Sequence, residues 1–222
     1  MGNIAQQLPL TTDQTLQALA HLPIHGMLFP KVETTAQVAA IDAALVAVGR
    51  EALPRWYMIE TPLALLDLRD LVHASSRLQA LVLGTSDLVK ELRAHHTPSR
   101  SNLSYALQRC VAVARAYGLD VLDGVHLDFR NLESFEQSCR AALAMGFDGK
   151  TLIHPGQIEV ANRVFGPDEE AIAQAQRILA AWDEAQTGGR GVVELDGQLV
   201  ENLHADEARR LIAYAERLAQ RT

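Results

Sequence analysis

Short apolar runs alternate with amphipathic stretches along most of the chain, and each apolar run ends at a polar or glycine-containing cluster. The alternation predicts five strand–helix units, at residues 26–49, 55–75, 78–94, 121–145 and 149–164. Strands that alternate regularly with helices form parallel sheets. The pattern therefore predicts an α/β fold whose strands all run in one direction.

Turn and capping residues set the expected bounds of these elements. The five strands are predicted at Gly26–Val32, Trp56–Glu60, Leu78–Leu83, Val121–Leu127 and Phe147–Ile153. The first helices are expected to begin after Thr34 or Thr35, and after Thr61 with Pro62 in the first helical position. An earlier helix is predicted at Thr11–His21.

The pattern changes near the carboxyl end of the chain. A helix at Asp168–Ala185 precedes the glycine-rich stretch Gly188–Gly191. Residues 192–200 then alternate about an Asp-Gly turn, which predicts a β-hairpin, and a final helix is expected at Ala205–Gln220. We predict two domains, with residues 1–187 in the first and residues 188–222 in the second.

Composition and charge exclude several classes of protein. The chain has 222 residues, of which 48% are hydrophobic and 21% charged, as in ordinary globular domains. A net charge of −7 without a basic block argues against nucleic acid as a partner. The first residues lack a signal-peptide pattern, and the apolar runs are too short to span a bilayer, so no membrane partner and a cytoplasmic location are expected. Cys110 and Cys139 lack the spacing of a metal or redox motif, so reduced core thiols are expected.

Two acidic residues follow neighbouring predicted strands. Glu60 comes at the end of the second strand, and Asp87 comes shortly after the third. Ligands of parallel α/β folds gather at the carboxyl ends of the strands, so both carboxylates are expected to face one crevice. Two carboxylates there suit Mg²⁺, which commonly takes one or two of them together with substrate oxygens and water. The alternative is that these acids cap helices, and Asp87 is a good candidate for capping a helix at Leu88–Ala94.

Other candidate residues have two interpretations each. Lys31 is either a phosphate or carboxylate contact or a surface lysine, and Arg190 is either a phosphate contact or a solvated charge. Asp128 is expected at the end of the fourth strand, where it would contact a polar substrate group, and Asp123 is expected to make turn hydrogen bonds. For His154 a structural hydrogen-bonding role is favoured over that of a base.

Five segments in register indicate a family. They are Leu28–Glu33 (LFPKVE), Ile59–Pro62 (IETP), Gly84–Leu88 (GTSDL), Asp123–Val125 with Asp128, and Ile153–Pro155 (IHP). In order and spacing they resemble the citrate lyase β-subunit-like group of the HpcH/HpaI aldolase superfamily. The resemblance implies a (β/α)₈ barrel of the TIM type, of which the five units would be strands four to eight. The strands that carry the family's first motifs, including a substrate-holding Arg, have no counterpart here, so an incomplete barrel with a C-terminal helix–hairpin–helix extension is expected, from either a truncated chain or a natural short form.

The resemblance also implies a reaction and a metal. Glu60 and Asp87 match the family's Mg²⁺ ligands. The substrate would be a short 3-hydroxyacyl thioester such as citryl-, citramalyl- or malyl-CoA, cleaved to a 2-oxo acid and an acyl thioester. Two alternatives stay open: a non-catalytic homologue or subunit that retains a metal or 2-oxo acid site, and an aldolase acting on free 2-oxo acids.

The remaining site residues and partners follow from the same resemblance. CoA or an acyl-carrier thioester would lie near Lys31 and the His154-Pro155 turn. The predicted substrate-binding residues are Lys31, Thr61, Pro62, Gly84, Thr85, Ser86, Asp128, His154 and Pro155. A C-terminal flap of relatives carries an Asp that acts in a neighbouring subunit, and Glu201 stands at that position here, as the candidate catalytic acid of a homo-oligomer that the family implies to be a trimer.

Overall fold

A computed structural model describes residues 22–189 and 191–220. The predicted helix Thr11–His21 and Arg190 lie outside the described residues. The chain divides into two compact units, Met1–Ile158 and Glu159–Thr222, and each is described by itself. The domain boundary after residue 187 stays a prediction.

The first unit is built on a five-stranded sheet in which the strands lie side by side in chain order. The strands are β1 (Met27–Phe29), β2 (Arg55–Ile59), β3 (Leu78–Leu83), β4 (Asp120–Asp123) and β5 (Gly149–Lys150). All four neighbouring pairs are parallel. The predicted α/β class with a parallel sheet is therefore confirmed.

Helices connect successive strands of this sheet. They are α1 (Thr35–Ala47), α2 (Pro62–Leu66), α3 (Leu68–Ala74), α4 (Thr85–Glu91), α5 (Ser104–Ala116) and α6 (Leu132–Met145), with short 3₁₀ turns at Ser101–Leu103 and Pro155–Gln157. The predicted caps at Thr34 and Thr61 are confirmed. The Thr34 side chain accepts a hydrogen bond from the Gln37 N–H at 3.2 Å, and Thr61 accepts one from the Ala64 N–H at 3.2 Å.

The central strand β3 is buried on both faces. Four of its six residues, Ala80 to Leu83, are at most 2% exposed. Such continuous apolar runs are typical of parallel strands covered by helices. Cys110 on α5 and Cys139 on α6 are free thiols buried in this core, as predicted.

Two predicted strands are much shorter than expected. The fourth was expected to reach Leu127, but β4 ends at Asp123, because the Asp123 carboxylate accepts the Gly124 N–H at 2.7 Å and the chain turns there. The fifth was expected over Phe147–Ile153, but β5 has two residues because it pairs with β4 only through Gly149 and Lys150. Apolar residues continue past both points, so the hydrophobic pattern predicted strands that were too long.

The second unit contains helices and one hairpin. Helix α7 (Ile158–Phe165) begins at its boundary and is followed by α8 (Glu169–Thr187), strands β6 (Val193–Leu195) and β7 (Gln198–Val200), and α9 (Asn202–Ala219). The strands are antiparallel, which confirms the predicted hairpin. Its small core contains Trp182, Val200 and Ala205. Of the helices that the structure describes, none is both long enough and apolar enough to cross a bilayer.

Candidate functional site

The first residue of the site, Glu60, follows β2 directly and is only 2% exposed. One of its carboxylate oxygens, Oε1, accepts a hydrogen bond from the backbone N–H of Lys31 at 2.8 Å. The pKa of Glu60 is raised to about 7: burial is the largest cause, the neighbouring Asp87 carboxylate acts in the same direction, and the hydrogen bond from the Lys31 N–H opposes both. Glu60 is therefore a buried acid whose negative charge is poorly compensated by the protein.

Asp87 approaches Glu60 from the next strand–helix unit. Helix α4 begins at Thr85, and its N-cap is Gly84, so Asp87 is the third helical residue. The interpretation of Asp87 as the cap of a helix beginning at Leu88 is therefore wrong. The sequence-based reason for the error is that Thr85 and Ser86 looked like loop residues, whereas they form the first turn of the helix.

The close approach of the two units requires a glycine at position 84. A Cβ atom at Gly84 would lie 2.4 Å from Cβ and 2.7 Å from Oε2 of Glu60. Contacts that short require atoms to move. The Gly84 N–H donates to the Ile59 carbonyl at 3.0 Å, which ties the ends of β2 and β3 together beside the two acids.

The remaining predicted substrate contacts near the acids have structural roles in the fold. Thr61 is buried and its hydroxyl caps α2, while Pro62 is the first residue of that helix. Thr85 is buried and Ser86 is half-buried in the first turn of α4. Contact of these residues with a substrate stays a prediction.

Lys31 contributes to the site through its backbone. Its φ angle is 51°, in the left-handed region, and this conformation accompanies the hydrogen bond from its N–H to Glu60. Its side chain is exposed. A contact between the Lys31 ammonium and a substrate stays a prediction.

Asp128 does not lie where the sequence placed it. Because β4 ends at Asp123, Asp128 is an exposed residue of the following loop and not the last residue of the strand. The placement at a strand end was wrong for the same reason that the strand bound was wrong.

His154 caps the 3₁₀ turn that follows β5. Its Nδ1 accepts a hydrogen bond from the Gly156 N–H at 3.0 Å, with Pro155 as the first residue of the turn. The imidazole stacks on Phe129, with ring centroids 4.9 Å apart. This is the kind of structural role that the sequence favoured, and a thioester contact at His154 or Pro155 stays a prediction.

Sequence reasoning missed a buried charge cluster at the ends of β4 and β5, formed by Arg100, Asp123 and Lys150. The Asp123 carboxylate, fully buried, accepts hydrogen bonds from Arg100 Nη1 at 2.6 Å and from Lys150 Nζ at 2.5 Å. Burial pushes the pKa of Asp123 upward, but the Arg100 and Lys150 cations outweigh it and hold the pKa below its usual value. Asp123 does make the predicted turn bond to Gly124, but spacing along the chain carried no sign of its two cationic partners.

Glu201 belongs to the second unit. It is half-buried at the N-cap of α9, and its backbone N–H donates to Nδ1 of His204 at 3.0 Å. Its catalytic role stays a prediction.

The donor set at Glu60 and Asp87 fits magnesium better than zinc. Among the described residues, no group of three or more His, Cys, Asp or Glu side chains converges as a metal site. Structural and catalytic zinc sites take three or four protein ligands. Mg²⁺ needs only one or two carboxylates, because water and substrate oxygens complete its shell. A buried, poorly compensated carboxylate beside a second one meets that requirement.

Comparison with known proteins identifies the family. The HpcH/HpaI aldolase/citrate lyase family matches residues 7–155. The chain belongs to this family. It is 43% identical over 204 residues to a (3S)-malyl-CoA thioesterase of Cereibacter sphaeroides, covering 92% of this chain and 70% of that protein. It is 32% identical over 206 residues to the citrate lyase subunit beta of Haemophilus influenzae, covering 90% of this chain and 71% of that one.

Solved structures of the family have a similar fold. A citrate lyase of Burkholderia xenovorans superposes with a TM-score of 0.80 at 21% identity, over 93% of this chain and 69% of that chain, and supports the fold alone. The CitE protein of Mycobacterium tuberculosis, in complex with magnesium, acetoacetate and coenzyme A, superposes with a TM-score of 0.74 at 26% identity, over 91% of this chain and 73% of that chain. The family is thus one of enzymes, and it includes lyases and thioesterases related to CoA thioesters.

Proposed function

We propose that this protein binds Mg²⁺ through Glu60 and Asp87 and cleaves a carbon–carbon bond of a short 3-hydroxyacyl thioester. Citryl-, citramalyl- or malyl-CoA would be the substrate, and a 2-oxo acid and an acyl thioester the products. The observation that carries the proposal is the pairing of buried Glu60 with Asp87 at adjacent strand ends, where burial and the second carboxylate raise the pKa of Glu60 to about 7.

The charges of the two acids favour a bound cation. A buried carboxylate and a half-buried one that lie close together repel each other, and a cation removes both the repulsion and part of the desolvation penalty. The complex of the Mycobacterium tuberculosis CitE protein with magnesium and coenzyme A supports the same choice of cation. Mg²⁺, when bound, orients and polarises the oxygen on the carbon that becomes the 2-oxo carbon.

The residues of the chain have separate tasks in this proposal. The Lys31 N–H and the Gly84 contact orient Glu60, and the first turn of α4 carries Asp87. During cleavage the substrate hydroxyl gives up its proton to a water molecule, the carbon–carbon bond breaks, and its electron pair passes to the thioester as an enolate. The enolate carbon then takes a proton, and Glu201 of a neighbouring copy in a homo-oligomer is our candidate for the group that moves it.

We further propose that the five parallel strands correspond to strands four to eight of a (β/α)₈ barrel. The chain order of the sheet and the parallel pairing of every neighbour support this assignment. Ligands of such barrels lie at the carboxyl ends of the strands, which is where Glu60 is found.

A second candidate function is hydrolysis of the thioester bond. The 43% identity to a (3S)-malyl-CoA thioesterase favours it. Hydrolysis adds water across the acyl–sulfur bond and releases malate and free CoA from malyl-CoA, whereas lyase cleavage releases glyoxylate and acetyl-CoA. The two reactions are therefore separated by their products.

Metal binding is tested first, by calorimetric titration of Mg²⁺ with and without pyruvate or oxaloacetate. We expect binding to the unchanged protein, and a loss of at least about tenfold in Glu60→Ala and in Asp87→Ala, because each removes one of two ligands. Glu91→Ala is the matched control, since this exposed acid lies on the same helix as Asp87. Binding unchanged in both ligand variants would refute the site.

The reaction is tested with malyl-, citramalyl- and citryl-CoA, separating the CoA products by chromatography. Acetyl-CoA among the products of malyl-CoA supports the lyase, and free CoA with malate supports the thioesterase. Magnesium binding without turnover of any thioester would make the chain a non-catalytic homologue. If the protein converts only free 2-oxo acids, assayed as aldol products of pyruvate, it is an aldolase that acts without a CoA thioester.

A further inference from the structure

The buried charge cluster of Arg100, Asp123 and Lys150 lies at the same edge of the sheet as the two acids. The Lys150 side chain is 1% exposed, that of Asp123 is 0% exposed, and that of Arg100 is 20% exposed. Two cations and one anion in such surroundings carry a large desolvation penalty unless their hydrogen bonds are well formed. The proposed reaction assigns no role to this cluster.

Asp123 connects the cluster to its neighbouring residue Gly124. Its Oδ1 accepts the Gly124 N–H at 2.7 Å, and the same carboxylate is held from the other side by Arg100 and Lys150. Both residues at this turn are buried. The Gly124 backbone is therefore held by a carboxylate that is itself held by two cationic side chains.

Gly124 in turn packs against the first residue of α4. A Cβ atom at Gly124 would lie 2.3 Å from Oγ1 and 2.7 Å from Cγ2 of Thr85, and 2.9 Å from the Leu83 carbonyl oxygen. Thr85 is buried, and Asp87 follows two residues later in the same seven-residue helix. A displacement of Thr85 would therefore shift the Asp87 carboxylate relative to Glu60.

We infer that Asp123, held by Arg100 and Lys150, is a positioning residue that sets where Asp87 lies relative to Glu60, acting through Gly124 and Thr85. The inference rests on the proposed magnesium site. Residues outside the ligand set that orient ligands change metal affinity by roughly 10- to 100-fold when altered. The cluster would thus govern metal affinity without contacting the metal.

The test separates metal affinity from stability by comparing two glycine variants. Gly124→Ala introduces the contact with Thr85, and we expect the Mg²⁺ dissociation constant from calorimetry to rise by about tenfold. Gly146→Ala is the matched control, because Gly146 ends α6 with a φ of 99°. We expect it to lower the thermal unfolding midpoint while leaving Mg²⁺ affinity unchanged.

A second substitution, at Thr85, tests whether the Mg²⁺ affinity lost in Gly124→Ala can be recovered, which a purely structural role of Gly124 would not predict. Thr85→Ala removes both side-chain atoms that the new methyl group would meet, so the double variant Gly124→Ala with Thr85→Ala is expected to regain part of the lost Mg²⁺ affinity. The contact with the Leu83 carbonyl oxygen, 2.9 Å away, remains in the double variant. Thr85→Ala alone completes the cycle. If the two changes are simply additive, or if Gly124→Ala binds Mg²⁺ normally, the positioning role is wrong.

The outcomes also distinguish this inference from the proposed function. Failure of the unchanged protein to bind Mg²⁺ would refute both, whereas normal binding with an insensitive Gly124→Ala would refute the positioning role alone. An equal loss of Mg²⁺ affinity in Gly146→Ala would mean that general destabilisation is the cause, and would also refute it. If Gly124→Ala does not fold, Arg100→Gln takes its place, because the partly exposed Arg100 side chain can be replaced with less disruption. Unchanged Mg²⁺ affinity in Arg100→Gln would then refute the positioning role of Asp123.

Discussion

Two buried carboxylates at the carboxyl ends of strands in one sheet have opposite surroundings. Glu60 faces a second carboxylate, Asp87. Its own burial and the charge of Asp87 together raise the pKa of Glu60 to about 7. Asp123 faces Arg100 and Lys150, and these cations hold its pKa below the usual value although burial acts in the opposite direction. Position on the sheet therefore does not decide what an acid does. The neighbours decide it: Asp123 already has its cations, whereas Glu60 faces another acid, which is why we propose that Glu60 binds a cation from solution.

The largest effect on stability is expected from removing Asp123, the carboxylate whose charge is neutralised by neighbouring cations. Asp123→Ala leaves Lys150 and much of Arg100 buried without their anion, and we expect a loss of about 3–5 kcal/mol in the free energy of unfolding. Chemical denaturation measures it. The exposed ion pair Arg69–Asp70 is the control, since Asp70→Ala should change stability by less than about 1 kcal/mol. Similar losses in the two variants would contradict the difference in burial.

The next effect comes from crowding Glu60 without changing any charge. In Gly84→Ala the added Cβ would lie 2.4 Å from the Glu60 Cβ, so the strand ends must separate. We expect a loss of about 1–3 kcal/mol in stability, together with weaker Mg²⁺ binding by calorimetry. Gly191→Ala is the control, because a Cβ there meets no atom within 4 Å. Unimpaired Mg²⁺ binding in Gly84→Ala would show that the close approach is not needed.

A smaller effect of opposite sign is expected from neutralising Glu60. The ordinary pKa of 4.5 rises to about 7 in the folded protein, so folding retains a proton that the unfolded chain releases. Stability of the metal-free protein should therefore fall as pH rises from 4.5 to 7. Glu60→Gln should remove this dependence and be more stable than the unchanged protein by about 1–2 kcal/mol at pH 8 in EDTA.

Magnesium provides the control for that measurement. Saturating Mg²⁺ should stabilise the unchanged protein and have no comparable effect on Glu60→Gln, because only the carboxylate supplies the ligand. If the difference in stability between the unchanged protein and Glu60→Gln in EDTA stays constant between pH 4.5 and 7, Glu60 is not protonated on folding.

The smallest effect separates the two causes that raise the pKa of Glu60. Burial is the larger cause and Asp87 the smaller one. Asp87→Asn should therefore lower the pKa of Glu60 from about 7, but leave it above the ordinary value of 4.5. Carbon-13 chemical shifts of the Glu carboxyl groups followed against pH measure it. A return all the way to 4.5 would show that charge repulsion, not burial, dominates.

The sequence predicted the parts of the site that depend on local patterns. Glu60 and Asp87 stand just beyond apolar runs, and the caps Thr34 and Thr61 precede helices in the expected manner. The order of the parallel strands follows from the alternation of strands and helices.

The parts that were missed depend on contacts between distant residues. Arg100, Asp123 and Lys150 come from a loop and two strands. Arg100 and Asp123 are 23 positions apart in the sequence, and Asp123 and Lys150 are 27 positions apart. Hydrophobic periodicity says nothing about which charges meet across such intervals. The ends of β4 and β5 were misplaced for a related reason. The Asp123 carboxylate accepts the Gly124 N–H and the Thr151 hydroxyl donates to the Asp123 main-chain carbonyl, so side-chain hydrogen bonds replace strand pairing although apolar residues continue.

The hydrogen bond from Lys31 to Glu60 has a consequence for which substitutions position 31 can accept. The donor is a backbone N–H, and the φ angle is 51°. Replacing the lysine by glycine or asparagine would preserve the bond and suit the left-handed backbone, whereas proline would remove the donor and valine would resist the conformation. In a saturation library at this position, we therefore expect Mg²⁺ binding to depend mainly on the backbone conformation that each variant permits, and less on its charge, because the Lys31 ammonium is the smallest of the influences on the pKa of Glu60.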